Sequence, residues 1–154
     1  MTDATGAAGP YNWIMTTNSV LPDSVSISGP GAQWSTAGRF LEAFTRRDYD
    51  ALASCLDPDV ALRALVPRGP IAATGADAVR DRIAGWFGGA DDFELVDAAI
   101  GQVGPRTYLR WRVRLWNATA GPRIVEQHVF TRGTDHLNAL DLLCSGFHAE
   151  TAVA

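Results

Sequence analysis

The chain is predicted to fold as an α+β domain in which three N-terminal helices precede a curved, mostly antiparallel sheet that wraps the first helix. Two observations predict it. Apolar residues recur at helical spacing in three stretches before Gly88, apart from one short alternating run, and from Phe93 onward the pattern is alternating throughout. A third observation bounds the answer: 154 residues at 47% hydrophobic content bury one good core but hardly two.

Residues 1–32 are rich in Gly, Ser, Thr and Pro, with Pro10, Pro22 and Pro30 interrupting any regular pattern, and read as an irregular arm. Its cluster of Tyr11, Trp13, Ile14 and Met15 is too apolar for a pure linker and suits docking on the domain or on a second subunit. The domain itself is expected over residues 33–148, with 149–154 as a C-terminal tail. Trp34, Ala37, Phe40, Leu41 and Phe44 define an amphipathic first helix running from Trp34 to Arg47. Asp48 is placed to cap a short second helix, Tyr49 to Leu56, which Pro58 stops. Val60 to Val66 alternates as a first strand. Thr74 and Asp77 have the spacing of a capping box ahead of a third helix carrying Val79, Ile83, Trp86 and Phe87, which Gly88 and Gly89 end. Four strands follow, over Phe93 to Gln102, Thr107 to Trp116, Arg123 to Thr131 and His136 to Phe147.

Composition excludes several classes. A net charge of -4 opposes an electrostatic grip on phosphate, so nucleic acid is not an expected partner. All 13 basic residues are arginines, which removes Schiff-base chemistry on a lysine. Cys55 and Cys144 have no metal-ligand spacing and suggest reduced thiols in a cytosol. With no secretory pattern and no apolar stretch long enough to span a bilayer, a cytoplasmic protein without a membrane partner is expected. Neither a metal nor a nucleotide cofactor is implied.

The segment Ile124 to Phe130 carries the strongest functional signal. Period two puts Ile124, Glu126, His128 and Phe130 on one face and Val125, Gln127 and Val129 on the other. If the larger apolar residues face the core, an acid and an imidazole go with them, which is costly without a task or a partner. On the preceding strand Leu109, Trp111, Val113 and Leu115 must face inward and Arg110, Arg112 and Arg114 outward. A turn spanning Asn117 to Pro122 sets Trp116 opposite Arg123, Trp111 opposite His128 and Val113 opposite Glu126; a slip of one residue reverses the result. In that slipped case His128 and Glu126 become surface residues, Glu126 paired with an arginine. The last strand allows two registers, one turning Leu140, Leu142 and Cys144 inward, the other placing Asp141 beside His128 and Glu126.

The order of elements, with Phe40-Leu-Glu-Ala-Phe-Thr-Arg-Arg-Asp-Tyr-Asp-Ala-Leu at the first two helices, resembles the nuclear transport factor 2-like superfamily, and within it the SnoaL-like branch. The resemblance covers about Gln33 to Phe147. It implies a cone-shaped pocket between helices and sheet and a homodimer. Phe40 matches the tyrosine oxyanion donor of the family's steroid isomerases and Ala64 their carboxylate base, so neither function is kept. His128, two residues before Phe130, matches a catalytic aspartate. The implied protein is a cofactor-independent acid/base enzyme, of cyclase, isomerase, dehydratase or epoxide hydrolase type, acting on a small apolar, polyketide-like metabolite. His128 would move the proton, Glu126 or Asp141 would orient it, and Trp34, Phe40, Ala64, Trp86, Trp111, Val113, Phe130, Leu140, Leu142 and Cys144 would line the substrate site. The alternative is a non-catalytic module of the same fold that binds a small ligand or dimerises.

Overall fold

The computed structural model describes residues 30–150, with side chains from Trp34 onward. The elements run α1 (Pro30–Thr45), α2 (Tyr49–Ser54), β1 (Leu56–Val66), β2 (Gly69–Thr74), α3 (Ala76–Phe87), β3 (Asp92–Val103), β4 (Arg106–Asn117), β5 (Gly121–Arg132), β6 (Leu137–Cys144) and β7 (His148–Ala149). The arm expected over residues 1–32 falls almost wholly outside the described residues.

Each helix has a local cause. Phe40, Ala43 and Phe44 are the buried stripe of α1. Asp48 caps α2 by accepting a hydrogen bond from Ala51 N at 3.0 Å. The capping box expected ahead of α3 does not form: Thr74 is the last residue of β2, paired with Ala61, and Gly75 is the N-cap with no side-chain hydrogen bond. Its φ of 95° is a conformation that glycine adopts without strain.

The sheet order is β2-β1-β6-β5-β4-β3, with β7 paired to β5. The sheet is mostly antiparallel, as expected, and mixed only in that β1 and β6 run parallel. One expectation is corrected here: among the described residues the sheet is open, ending in β2 and β3 as two edges, and it is not closed or strongly curled into the cone that the resemblance implied. The architecture is α+β, with helices packed against a mixed sheet. The hairpin β1–β2 adds a strand that the sequence pattern did not announce.

One face of the sheet is the core. Val60, Leu62 and Ala64 of β1, Leu109, Trp111, Val113 and Leu115 of β4, Val125 and Val129 of β5, and Leu140 and Leu142 of β6 are buried there. Phe44 of α1 joins the layers, its ring centroid 5.0 Å from Phe87, 5.6 Å from Phe93 and 4.5 Å from Trp111.

Candidate functional site

The turn between β4 and β5 decides which side chains meet. Asn117 pairs with Gly121 and Trp116 with Pro122, leaving Ala118, Thr119 and Ala120 as the loop. Asn117 Oδ1 accepts from Thr119 N and Ala120 N, and Gly121 takes a φ of 70° to close the hairpin. The loop is one residue shorter than expected, so the register slips by one. Trp111 lies opposite Gln127, Arg112 opposite Glu126 and Arg110 opposite His128. Because side chains alternate with period two, this single step carries Glu126, His128 and Phe130 to the outer face. The expected pairings of Trp111 with His128 and of Val113 with Glu126 are thereby overturned.

The inner position belongs to Gln127, fully buried between neighbouring strands. Its Oε1 accepts from Trp111 Nε1 at 3.0 Å, and its Nε2 donates to Cys144 Sγ at 3.4 Å. Sequence reasoning missed it, although a buried indole N–H facing the next strand demands an acceptor, and Gln127 is the side chain opposite that can supply one.

His128 and Glu126 do meet, but among the arginines. His128 Nε2 is 2.8 Å from Glu126 Oε1, and His128 Nδ1 is 2.6 Å from the Tyr108 hydroxyl. A carboxylate only accepts, so Nε2 carries its proton toward Glu126, and in the neutral ring Nδ1 accepts from Tyr108. Glu126 Oε2 takes Nε and Nη2 of Arg112 at 2.9 and 2.7 Å. The hydrogen bonds from Arg112 hold the Glu126 carboxyl below its ordinary range, with His128 adding to the effect and partial burial opposing it. Burial pushes the Tyr108 hydroxyl up, against the pull of Arg110.

Around this chain Arg110 pairs with Asp97, and Arg114 with both Glu94 and Glu150. Asp141 is on the same face, held by Arg63 and Arg106 at 2.7 Å each. It pairs with Phe130 across the strands and joins neither His128 nor Glu126. Leu140 and Leu142 face inward, as the first of the two registers has it, while Cys144 is half-buried.

Of the expected substrate-site residues, Phe40, Ala64, Trp111, Val113, Leu140 and Leu142 are core, and Phe40 and Trp111 pack at 6.4 Å between ring centroids. Phe130 lies on the outer face, its ring 5.2 Å from Tyr108. Trp34 is 38% exposed, and Trp86 lines a shallow surface groove with Ala78, Asp81, Arg82 and Gly85. The set therefore divides between two faces of the sheet and the surface and does not converge on one cavity. Among the described residues no three His, Cys, Asp or Glu side chains are grouped to hold a metal ion, and no helix is long and apolar enough to cross a membrane.

Comparison with known proteins agrees with the fold. No curated protein matches the chain in sequence. Among solved structures, a candidate SnoaL-like polyketide cyclase from Shewanella putrefaciens CN-32 is similar at 12% identity and a TM-score of 0.59, over 76% of this chain and 91% of that one. A candidate isomerase from Bacillus subtilis is similar at 10% identity and a TM-score of 0.60, over 75% and 87%. An NTF2-like protein of unknown function from Cytophaga hutchinsonii ATCC 33406 is similar at 14% identity and a TM-score of 0.57, over 73% and 98%. Residues 37–137 match the family model of the SnoaL-like domain. With that match over most of its length and the nuclear transport factor 2-like fold on which it sits, the chain belongs to the SnoaL-like domain family.

Proposed function

We propose that this domain is a non-catalytic interaction module, pairing with a second copy of itself through the outer face of its sheet. One observation carries the reading: the ionisable side chains that acid/base chemistry would need lie on that face and satisfy one another, both His128 nitrogens being engaged. The face suits an interface. Leu65 and Leu143, 54% and 49% exposed, are cross-strand neighbours in line with His128 and Arg110. Beside them arginines and acids alternate, a pattern that can complement its own copy across a two-fold axis. Both cysteines are free thiols, as a reducing cytoplasm leaves them. Sedimentation equilibrium is the test. A concentration-dependent dimer is expected, weakened at least tenfold by Leu143→Arg; a monomer at all concentrations sinks the reading.

A second reading keeps catalysis, and the Tyr108–His128–Glu126 chain favours it. A hydroxyl, a base and an orienting carboxylate in hydrogen-bond reach are the parts of a proton-transfer site. In this reading the domain is a cofactor-independent enzyme of cyclase, isomerase, dehydratase or epoxide hydrolase type acting on a small apolar, polyketide-like metabolite, and the Tyr108 hydroxyl relays the proton held by His128. Thermal-shift screening with polyketide-like compounds, then turnover by His128→Ala, tests it. A loss of about 100-fold or more is expected; unchanged turnover removes His128 from the reaction.

A further inference from the structure

Of the chain's 3 histidines, His136 and His148 are exposed, in the loop before β6 and on the short β7, whereas His128 sits in the middle of the sheet's outer face. A row of directly paired residues crosses that face through it: Leu65 of β1, Leu143 of β6, His128 of β5 and Arg110 of β4. The His128 side chain is 36% exposed. Its ring therefore exchanges protons with solvent in the free domain and is covered by whatever docks on Leu65 and Leu143.

We infer that His128 makes self-association through this face sensitive to pH, the two copies separating as their rings take up protons. The inference rests on the outer-face dimer proposed above and adds its regulation.

The groups around the ring decide the sign. From β4 it is faced by Tyr108, Arg110 and Arg112, and along β5 by Glu126. From β6 the uncharged Leu143 stands directly opposite, with Asp141 at the next position on the same face. β3 contributes Asp97 behind Arg110, and β7 sets His148 opposite Ile124, with its Nε2 2.7 Å from Ser145 O. Each of the three carboxylates is already matched by guanidinium: Asp97 by Arg110, Glu126 by Arg112, and Asp141 by both Arg63 and Arg106. A proton on His128 is thus a surplus positive charge rather than a missing partner. On the open face water solvates it. Beneath a second copy it loses that water, and a two-fold axis brings up an identical face with the same surplus.

Hydrogen bonding points the same way. The neutral ring uses both nitrogens, Nε2 donating to Glu126 Oε1 at 2.8 Å and Nδ1 accepting from the Tyr108 hydroxyl at 2.6 Å. An imidazolium donates from both. The Tyr108 oxygen must then accept, and its own hydrogen turns outward to a partner that solvent supplies only while the face is open.

Affinity is therefore full where the ring is neutral and falls away as pH drops through the imidazole range, roughly pH 8 to 5. The Glu126 and Glu150 carboxyls, held below their ordinary range by Arg112 and Arg114, stay ionised across it.

Sedimentation equilibrium on the full chain between about pH 7.5 and about pH 5.5 tests the inference. The dimer dissociation constant is expected to rise roughly tenfold or more over that drop, because each of the two rings takes up a proton on separation. The double variant His136→Gln with His148→Gln leaves His128 as the one histidine and should keep the dependence. His128→Gln, whose amide can donate to Glu126 and accept from Tyr108 as the neutral ring does, should flatten it to within about threefold. The double variant decides alone if His128→Gln does not associate. Loss of the dependence in the double variant, or its survival in His128→Gln, overturns the inference. So does a dimer whose dissociation constant is level across the range or falls with pH, an outcome that leaves the outer-face interface standing. A monomer at every pH overturns the interface itself and the inference with it.

Discussion

At the scale of single residues, Gln127 is the most demanding side chain in the interior. Its amide connects β5 to Trp111 on β4 and to Cys144 on β6, so one residue reports on the register of three strands. Gln127→Met conserves volume but removes the acceptor, leaving the Trp111 N–H buried and unpaired. Chemical denaturation should show a loss of about 1–3 kcal/mol, and adding Trp111→Phe should not compound it in full, because the orphaned donor is then gone. Gly133 is exacting for a backbone reason. With φ at 114°, a methyl group there would lie 2.0 Å from His136 O. Gly133→Ala should lower stability by about 3 kcal/mol, read from the same denaturation midpoint. The candidate site was legible in part at this scale. That His128 and Glu126 would interact was readable from their spacing. Which face they take was not, because the decision rests on a loop one residue shorter than the pattern suggested, closed by Asn117 and Gly121.

Among the elements, β4 was the most readable, since strict alternation of Leu109, Trp111, Val113 and Leu115 with arginines admits one orientation. β2 was the least: Gly69-Pro70-Ile71-Ala72-Ala73-Thr74 is short, contains a proline that only an edge strand tolerates, and pairs on one side alone. The arginine ladder of β4 makes a prediction about pH. Hydrogen bonds from Arg112 depress the Glu126 carboxyl below its ordinary 4.5, and hydrogen bonds from Arg114 depress Glu150 likewise. A depressed carboxyl stabilises the fold in full above its unfolded value, and the contribution disappears as pH falls through the folded value. The denaturation midpoint should therefore fall progressively as pH drops below about 4.5, and Glu126→Gln should flatten that fall. An unchanged acid limb in Glu126→Gln would show that the pairing with Arg112 contributes nothing to stability.

For the whole molecule, the α+β class and the order of most elements followed from where helical spacing gives way to alternation, whereas sheet shape did not. Openness, and the parallel pairing of β1 with β6, depend on contacts between residues as distant as Leu62 and Leu140, which no local pattern encodes. What unites helices and sheet is the ring cluster of Phe44, Phe87, Phe93 and Trp111, drawn from α1, α3, β3 and β4. Phe44 touches the other three and is fully buried, so Phe44→Ala removes the contact between layers as well as about 3–5 kcal/mol of burial and packing. Domains of this size hold only about 5–15 kcal/mol in total. The variant should keep much of its far-ultraviolet circular dichroism, lose near-ultraviolet signal and bind a hydrophobic dye, because strands and helices persist locally while their packing fails. Arg82→Ala is the control, since an exposed side chain on α3 should change stability by no more than about 0.5 kcal/mol. A loss in Phe44→Ala no larger than in that control would show that the layers are joined elsewhere than at this cluster.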